Sequence, residues 1–267
     1  MNNTPRLIDW LDRLGAAQVV CVGDVMLDRF VYGEVERISP EAPIPVLRIV
    51  REAVTVGGAG NVARNLSALE AGARLFGVVG DDPAGREAAE VLSFERAVTL
   101  SLLADDSRPT TVKTRFIAGG QQLLRTDEEQ LSALSDDLLS RLSAEVSAAV
   151  SDAGCGALIL SDYGKGVLTD AMIAAAMEAA RAAGVPVVVD PKGDDFNRYR
   201  GAGVITPNRR ELGAASRMPV GTDAEVAAAA RHLIESCGLG AVIATRGADG
   251  GLMAGGDPRR GGAVAIA

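Results

Sequence analysis

The stretch from residue 56 to residue 66 reads Val-Gly-Gly-Ala-Gly-Asn-Val-Ala-Arg-Asn-Leu, and it indicates how the chain folds. Three glycines crowd a turn, and an amphipathic helix follows directly, with Val62, Leu66 and Leu69 on one stripe. Glycines allow backbone N–H groups to approach a ligand closely, and a helix N-terminus adds a partial positive charge. The stretch therefore predicts a ligand-binding turn, although an ordinary turn between a strand and a helix shares the pattern.

Polar groups near this turn favour a ligand with many hydroxyl groups. Asn61 can hydrogen-bond a hydroxyl, and the apolar run at residues 19–22 ends in Gly23 and Asp24, with Asp28 close behind. Two carboxylates at the carboxyl end of a strand, beside a glycine-rich helix start, match the hydrogen-bonding needs of a polyol.

Composition limits the class of protein. The chain has 267 residues, 48% of them hydrophobic, so one large α/β domain over residues 1–267 can bury a sizeable core. A net charge of −8 argues against nucleic acid and anionic membranes as partners. The three cysteines lack the spacing of a metal site, and no signal peptide or membrane-length apolar run is present. We therefore expect a cytoplasmic protein.

Strands and helices are expected to alternate along most of the chain, after a capped leading helix from Thr4 to Leu14. The alternation predicts an α/β fold with a doubly wound parallel sheet flanked by helices, whose ligands bind at the carboxyl ends of the strands. The polar residues at such ends are Asp24, Asp162, Asp190 and Thr245. The predicted strands are 18–23, 74–79, 156–161, 185–190 and 240–245, and the predicted helices are 60–71, 83–93, 135–152, 169–183 and 221–236.

Two segments interrupt this alternation. Residues 31–56 contain three prolines and an extended run, and residues 110–126 are typical of a hairpin that turns at Gly119 and Gly120. Strands without a helix between them do not belong in a parallel sheet. The two segments therefore predict a small β-sheet that projects from the core as a lid over the site.

The hairpin carries a basic face. Lys113 and Arg115 alternate with less polar residues on the first arm, and Gln122 and Arg125 follow on the return arm. Such a face suits an anionic ligand in an otherwise acidic chain. A solvated edge strand whose charges prevent aggregation has the same pattern, and the sequence leaves both interpretations open.

Two later motifs repeat one arrangement. Asp162 and Lys165 lie in a glycine-flanked loop after an apolar strand, and Asp190 and Lys192 follow the next strand. Either pair alone is a common structural turn with a surface lysine. Their repetition at consecutive strand ends favours a ligand site.

The last motifs suit a nucleotide. Asn208 and Glu211 have the spacing of a helix capping box, which needs no ligand. Alternatively they organise a hydrated Mg²⁺ on nucleotide phosphates, because Mg²⁺ keeps several waters and few protein ligands. Thr245, Arg246 and Gly247 form a glycine-rich turn with a cation available for phosphate.

Taken in order, these motifs resemble the ribokinase-like, pfkB-type family of sugar kinases, and within it the D-glycero-β-D-manno-heptose 7-phosphate kinases. The resemblance runs from about residue 18 to the end of the chain, and the stretches 37–43 and 109–125 are specific to the heptose branch. The residues that carry it lie at 23–28, 37–43, 57–63, 109–115, 119–125, 160–166, 190–192, 206–208 and 211.

The resemblance implies transfer of the γ-phosphoryl group of ATP, with Mg²⁺, to the anomeric hydroxyl of heptose 7-phosphate, in lipopolysaccharide core synthesis. It also implies a homodimer that forms through the lid. The residues implied for the sugar phosphate are Asp24, Asp28, Gly57, Gly58, Asn61, Lys113, Arg115, Gln122, Arg125, Asp162 and Lys165. Those implied for Mg-ATP are Asp190, Lys192, Asn208, Arg209, Arg210, Glu211, Thr245, Arg246 and Gly247, with Asn208 and Glu211 serving the metal through water.

One departure from the family pattern stands out. Relatives carry a second Gly-Ala-Gly-Asp signature whose Asp is the catalytic base, and that signature is absent from this sequence. We therefore expect a ribokinase-like fold truncated in its C-terminal part, a catalytic Asp beyond Ala267, and impaired turnover. The alternatives are a ribokinase-like kinase of another sugar and a non-catalytic protein that binds sugar phosphates.

Overall fold

The computed structural model describes residues 13–255 and 264–266. Its larger sheet has nine strands, in the order β13-β12-β11-β10-β9-β8-β1-β4-β5. Neighbouring strands from β11 to β5 are parallel, and β12 and β13 are antiparallel. Its strands are β1 (Gln18–Gly23), β4 (Gly72–Gly80), β5 (Val98–Asp105), β8 (Ala157–Ser161), β9 (Val187–Asp190), β10 (Val204–Ile205), β11 (Ala241–Thr245), β12 (Gly251–Gly255) and β13 (Val264–Ile266).

Helices cover both faces of this sheet, as expected of a doubly wound fold. The apolar sides of α1 and α2 pack in one buried cluster, and those of α3, α4 and α6 pack in another. The helices are α1 (Ala59–Ala68), α2 (Pro83–Ser93), α3 (Asp136–Val150), α4 (Asp170–Ala183), α5 (Arg209–Ser216) and α6 (Asp223–Cys237). In the described part of the chain, no helix is long and apolar enough to cross a membrane.

A second sheet of four strands, in the order β3-β2-β6-β7, forms the lid. The chain leaves the large sheet at Asp24 to enter β2 and returns from β3 directly into α1. The lid strands are β2 (Val25–Ile38), β3 (Pro45–Gly58), β6 (Thr111–Ala118) and β7 (Gln121–Glu128), so the lid begins earlier than residue 31 and ends slightly later than residue 126.

The structure differs from the sequence prediction in several elements. Asp28 lies inside β2 rather than at an end of a parallel strand, because β2 follows β1 after a single residue. The strands β5, β10 and β12 were not predicted. The predicted leading helix from Thr4 to Leu14 falls almost wholly outside the described residues.

Candidate functional site

The carboxyl ends of β8 to β11 border an open cleft of about 520 Å³. Tyr163 follows β8, Asp190 ends β9, Thr206 follows β10 and Thr245 ends β11, and all four line the cleft. Val62, from the first turn of α1, adds an apolar side chain to the lining of the cleft. The chain changes its direction of travel across the sheet between β1 and β8, which is where folds of this kind bind ligands.

One wall of the cleft is acidic. Burial, together with the negative charge of Glu211, raises the pKa of Asp190 to about 6. Lys192 Nζ lies 3.2 Å from Glu211 Oε1 and offsets part of this charge. Burial and the charge of Asp190 in turn raise the pKa of Tyr163. The structure therefore brings Asp190, Lys192 and Glu211 together in one cleft.

Asn208 and Glu211 form the predicted capping box at the start of α5. The Glu211 amide donates to Asn208 Oδ1 and the Asn208 amide donates to Glu211 Oε2, both over 3.0 Å. A parallel bridge joins Asn208 to Thr245, so the two segments expected to serve the nucleotide meet in space. The capping interpretation is confirmed, and Glu211 still lines the cleft with 14% of its side chain exposed.

The N-terminus of α1 lies between the cleft and the lid and has no side-chain cap. Gly58 occupies the cap position with φ of +58°, and a Cβ there would overlap the carbonyl oxygen of Asp24. Gly57 is also confined, in this case by side chains, because the Asp28 carboxylate occupies the space that its Cβ would need. Asn61 is exposed in the first turn. The other five described α-helices start with a side-chain cap. At the start of α1 the Ala59 amide donates to the Asp24 carbonyl oxygen at 2.9 Å, and no side-chain cap covers the amides after it, which a ligand can therefore approach.

One face of the lid sheet carries Asp28, Lys113, Arg115 and Arg125. The strand register pairs Asp28 with Lys113 and pairs Arg115 with Arg125, and Arg115 forms an ion pair with Asp28. Gln122 lies on β7, where every residue is exposed. Because β6 runs between β2 and β7, the alternative of a solvated edge strand is wrong for Lys113 and Arg115.

Comparison with known proteins agrees with this architecture. The profile of the pfkB family carbohydrate kinases matches residues 16–262. The chain belongs to the pfkB family of carbohydrate kinases. It is 49% identical over 257 residues to "Bifunctional protein HldE" of Rhodospirillum rubrum, which covers 96% of this chain and 51% of the relative. A protein of the same name from Paramagnetospirillum magneticum is 48% identical over 250 residues, covering 94% and 51%. This pfkB chain thus spans about half the length of the curated relatives it matches.

Solved structures of other pfkB-type kinases have the same fold. The tetrameric inhibited form of phosphofructokinase-2 from Escherichia coli superposes with a TM-score of 0.75 at 19% identity, over 94% of this chain and 79% of that one. Arabidopsis thaliana ribokinase complexed with ribose and ATP gives 0.65 at 20% identity, over 94% and 78%. The predicted ribokinase-like α/β fold and the predicted kinase class are therefore confirmed.

The sequence predicts that Asp24 contacts the sugar phosphate, whereas in this kinase the structure shows its carboxylate bonded to the backbone of a loop. Its carboxylate is 1% exposed and accepts hydrogen bonds from the backbone amides of Tyr163, Lys165 and Val167, at 2.9 to 3.0 Å. A carboxylate with three amide donors has little capacity left for a sugar hydroxyl. The role of Asp24 is to hold the loop after β8, and a direct substrate contact is not what the structure shows.

Asp162 lies deeper in the cleft than its neighbours. Burial raises its pKa, although the Tyr199 hydroxyl donates to Oδ2 at 2.6 Å and the Gly164 amide donates to Oδ1 at 2.8 Å. Tyr199 is fully buried beside it, and no signal in the sequence points to this partner. Lys165, from the same loop, turns away from Asp162 and lies 2.7 Å from Glu129, just beyond β7.

Arg246 is not the available cation that the sequence indicated. Its side chain is 6% exposed, pairs with Asp223, and donates to the carbonyl oxygen of Asp249 at 2.7 Å. Arg246 therefore stabilises the turn after β11 through a largely buried side chain. Arg209 pairs with Asp249 at 3.0 Å, and Arg210 is exposed. Gly247, with φ of +64°, starts a short 3₁₀ turn through Asp249, as its place in a tight turn requires.

Proposed function

We propose that this chain is a kinase domain, spanning residues 1–267, that transfers the γ-phosphoryl group of ATP to the anomeric hydroxyl of D-glycero-β-D-manno-heptose 7-phosphate. The product would be the 1,7-bisphosphate used in lipopolysaccharide core synthesis, and the reaction belongs in the cytoplasm. The observation that carries the proposal is the position of the cleft, which is open at the strand ends and lined by Val62 from the uncapped start of α1. Asp28 of the lid lies close enough to the cleft residue Tyr163 for its charge to add to the effect of burial in raising the pKa of that phenol.

The nucleotide would lie against β9 to β11. Lys192 is the cleft cation closest to Glu211, and Thr245 and Asn208 meet beside it. In the residues that the structure describes, no three His, Cys, Asp or Glu side chains are arranged to hold a metal ion. This fits Mg²⁺ bound chiefly by phosphate oxygens and water, with Asp190 and Glu211 as nearby carboxylates. When bound, Mg²⁺ neutralises charge on the transferring phosphate.

The sugar would lie between α1 and the lid. Asp28 and Asn61 border the confined glycines at the start of α1, where hydroxyl groups can approach the backbone. Lys113, Arg115 and Arg125 on the lid face supply positive charge for the 7-phosphate. Positioning of the two substrates and charge stabilisation then account for most of the expected rate enhancement.

The test is ATP turnover with heptose 7-phosphate, compared with unphosphorylated heptose and fructose 6-phosphate. Turnover that requires the 7-phosphate supports the proposal, and a preference for fructose 6-phosphate would support a ribokinase-like kinase of another sugar instead. Because impaired turnover is expected of residues 1–267, the same assay is run on a chain extended through the downstream reading frame. Binding of heptose 7-phosphate in calorimetry without turnover in either protein would support the non-catalytic alternative.

We also propose that two copies of the chain associate through their lids. Strand β7 is exposed along its whole length, and Leu123 and Leu124 on it are large apolar residues without cover in the single chain. Ile49 and Val50 on β3 are also exposed. Contiguous exposed apolar residues on a lid favour an interface. Sedimentation should show a dimer that Leu124→Glu dissociates and that the control Leu131→Glu, outside the lid, leaves intact.

A further inference from the structure

Three cations at the lid are each paired with a carboxylate from the end of β7 or just beyond it. Asp127 Oδ2 lies 3.5 Å from Lys113 Nζ and 2.9 Å from Arg125 Nη2. Glu129 Oε2 lies 2.7 Å from Lys165 Nζ and 3.8 Å from Lys113 Nζ. We define these five side chains as the lid charge cluster.

The cluster joins the lid to the core. Lys113 and Asp127 are register partners on β6 and β7, whereas Lys165 belongs to the loop after β8 that Asp24 holds in place. Glu129 contacts both lysines with one oxygen, so the two ammonium groups are brought close together. The side chains of Lys113 and Lys165 are 17% and 18% exposed. Two partly buried ammonium groups close to each other repel, and an anion between them offsets that repulsion.

The cluster has a net charge of +1, from three cations and two carboxylates. A phosphate ester carries close to two negative charges and three acceptor oxygens, so it can replace a carboxylate between the same cations. A carboxylate ligand or a neutral sugar offers no such advantage over Asp127 and Glu129. The arrangement therefore favours a dianionic group over both.

We propose that Asp127 and Glu129 are specificity-determining residues that hold Lys113, Arg125 and Lys165 in place and compete with the phosphate of the sugar for them. This inference rests on the proposed function for the identity of the sugar phosphate, but not for the competition itself. Asp127 and Glu129 set how much negative charge a ligand needs in order to bind at the lid.

Asp127→Asn and Glu129→Gln test the competition, because each removes a negative charge and keeps the size of the side chain. Calorimetry with heptose 7-phosphate, unphosphorylated heptose and inorganic phosphate should show phosphate and sugar phosphate binding about twofold to tenfold more tightly in both variants, as expected for loss of a partly exposed ion pair. Affinity for unphosphorylated heptose should not change.

Glu128→Gln is the matched control. Glu128 lies between the two carboxylates in sequence but pairs with Val112, on the opposite face of the sheet, so its change of charge should leave phosphate affinity unaltered. Lys113→Ala should weaken binding of both phosphate ligands.

The possible outcomes separate the two proposals. If heptose 7-phosphate does not bind but inorganic phosphate binds more tightly to Asp127→Asn and Glu129→Gln, the heptose assignment fails and the competition stands. Unchanged or weaker phosphate binding in these two variants, an equal gain in Glu128→Gln, or no phosphate binding in any protein overturns the competition.

Discussion

The Asp24 carboxylate accepts hydrogen bonds from backbone amides that are distant in sequence. Its three amide partners lie 139 to 143 residues further along the chain, in the loop that carries Tyr163 and Lys165. The Asp24 carboxylate accepts all three hydrogen bonds, and removing it would leave these backbone amides without their acceptor. The loop beside the cleft is therefore held from the start of the lid.

Asp24→Asn should destabilise the fold, because the new side-chain NH₂ group faces a backbone N–H and leaves donors without an acceptor. We expect the free energy of unfolding to fall by about 1–3 kcal/mol in urea denaturation. Asp81→Asn, at an exposed position, is the control and should lie close to the unmodified protein. Equal midpoints for both variants would contradict the role assigned to Asp24.

Asp190 predicts a pH dependence of stability. Its pKa in the folded state is about 6, against an ordinary value of 3.8. A raised pKa means that the folded state binds the proton more tightly, so this contribution to stability is complete below about pH 4 and is lost as the pH rises through 6.

Asp190→Asn should remove this loss of stability with rising pH, because the asparagine side chain does not titrate. At pH 7 the variant should be more stable than the unmodified protein by about 1 kcal/mol, less than the full shift implies because the carboxyl is partly exposed. The measurement is the free energy of unfolding from pH 4 to pH 8, with the exposed Asp137→Asn as control. A variant that keeps the same slope between pH 4 and 6 would assign the pH dependence to other groups.

At the scale of elements, the junction of β3 and α1 is tightly constrained. Gly58 and Gly119 both have a positive φ, of +58° and +56°. A Cβ at Gly58 would overlap the Asp24 carbonyl, whereas a Cβ at Gly119 would meet nothing within 4 Å. The pair therefore compares a glycine of positive φ in a close approach with one of positive φ in open space.

Gly58→Ala should therefore destabilise the protein by clearly more than Gly119→Ala. We expect about 1 kcal/mol for Gly119→Ala, from the backbone conformation alone, and about 3 kcal/mol or more for Gly58→Ala. Thermal and urea unfolding of both variants measure the difference. Similar losses would mean that the β3–α1 junction relaxes to admit a side chain.

The elements that could be predicted from the sequence are those with a regular pattern of apolar residues and with capping or turn residues at their ends. The apolar runs of β1, β8, β9 and β11 and the helices α2, α3, α4 and α6 fall close to the predicted ranges, whereas for α5 only the N-cap was predicted. The first part of β2, from Val25 to Phe30, was missed because it follows β1 after Asp24 without a turn signal, and β10 is only two residues long. Pattern reasoning has no means of detecting so short a strand, since its pairing depends on its neighbours.

The candidate site was predictable in position and less so in detail. The strand ends with Asp190 and Thr245, and the glycines before α1, lie where the fold rule expects a ligand. The partners of Asp24 and Arg246 could not be foreseen, because they are set by packing between distant segments. Asp127 could have been found from its place two residues after Arg125, on the same face of β7.

At the scale of the whole molecule, the two sheets differ in protection from water. Strand β1 is buried for five of its six residues between β4 and β8, whereas every residue of β7 is exposed. Local opening requires few contacts to break at β7 and nearly all of the core to separate at β1.

Hydrogen exchange followed by mass spectrometry should show this difference. Amides of β1 and β8 should exchange only through global unfolding, and those of β7 through local opening at lower free energy. Urea at concentrations below the unfolding transition should speed exchange in β1 and leave β7 nearly unchanged. Equal protection in β1 and β7 would mean that the lid and the core open as one unit.

The central position of β1 also has a consequence for synthesis on the ribosome. Strand β4 reaches β1 early, but β8 is translated much later, and the amides that Asp24 needs follow it, 139 to 143 residues after Asp24. Until then the nascent chain carries an apolar strand with one unpaired side and a carboxylate without its donors. We expect this interval to be the one in which the growing polypeptide depends on chaperones that cover exposed strands.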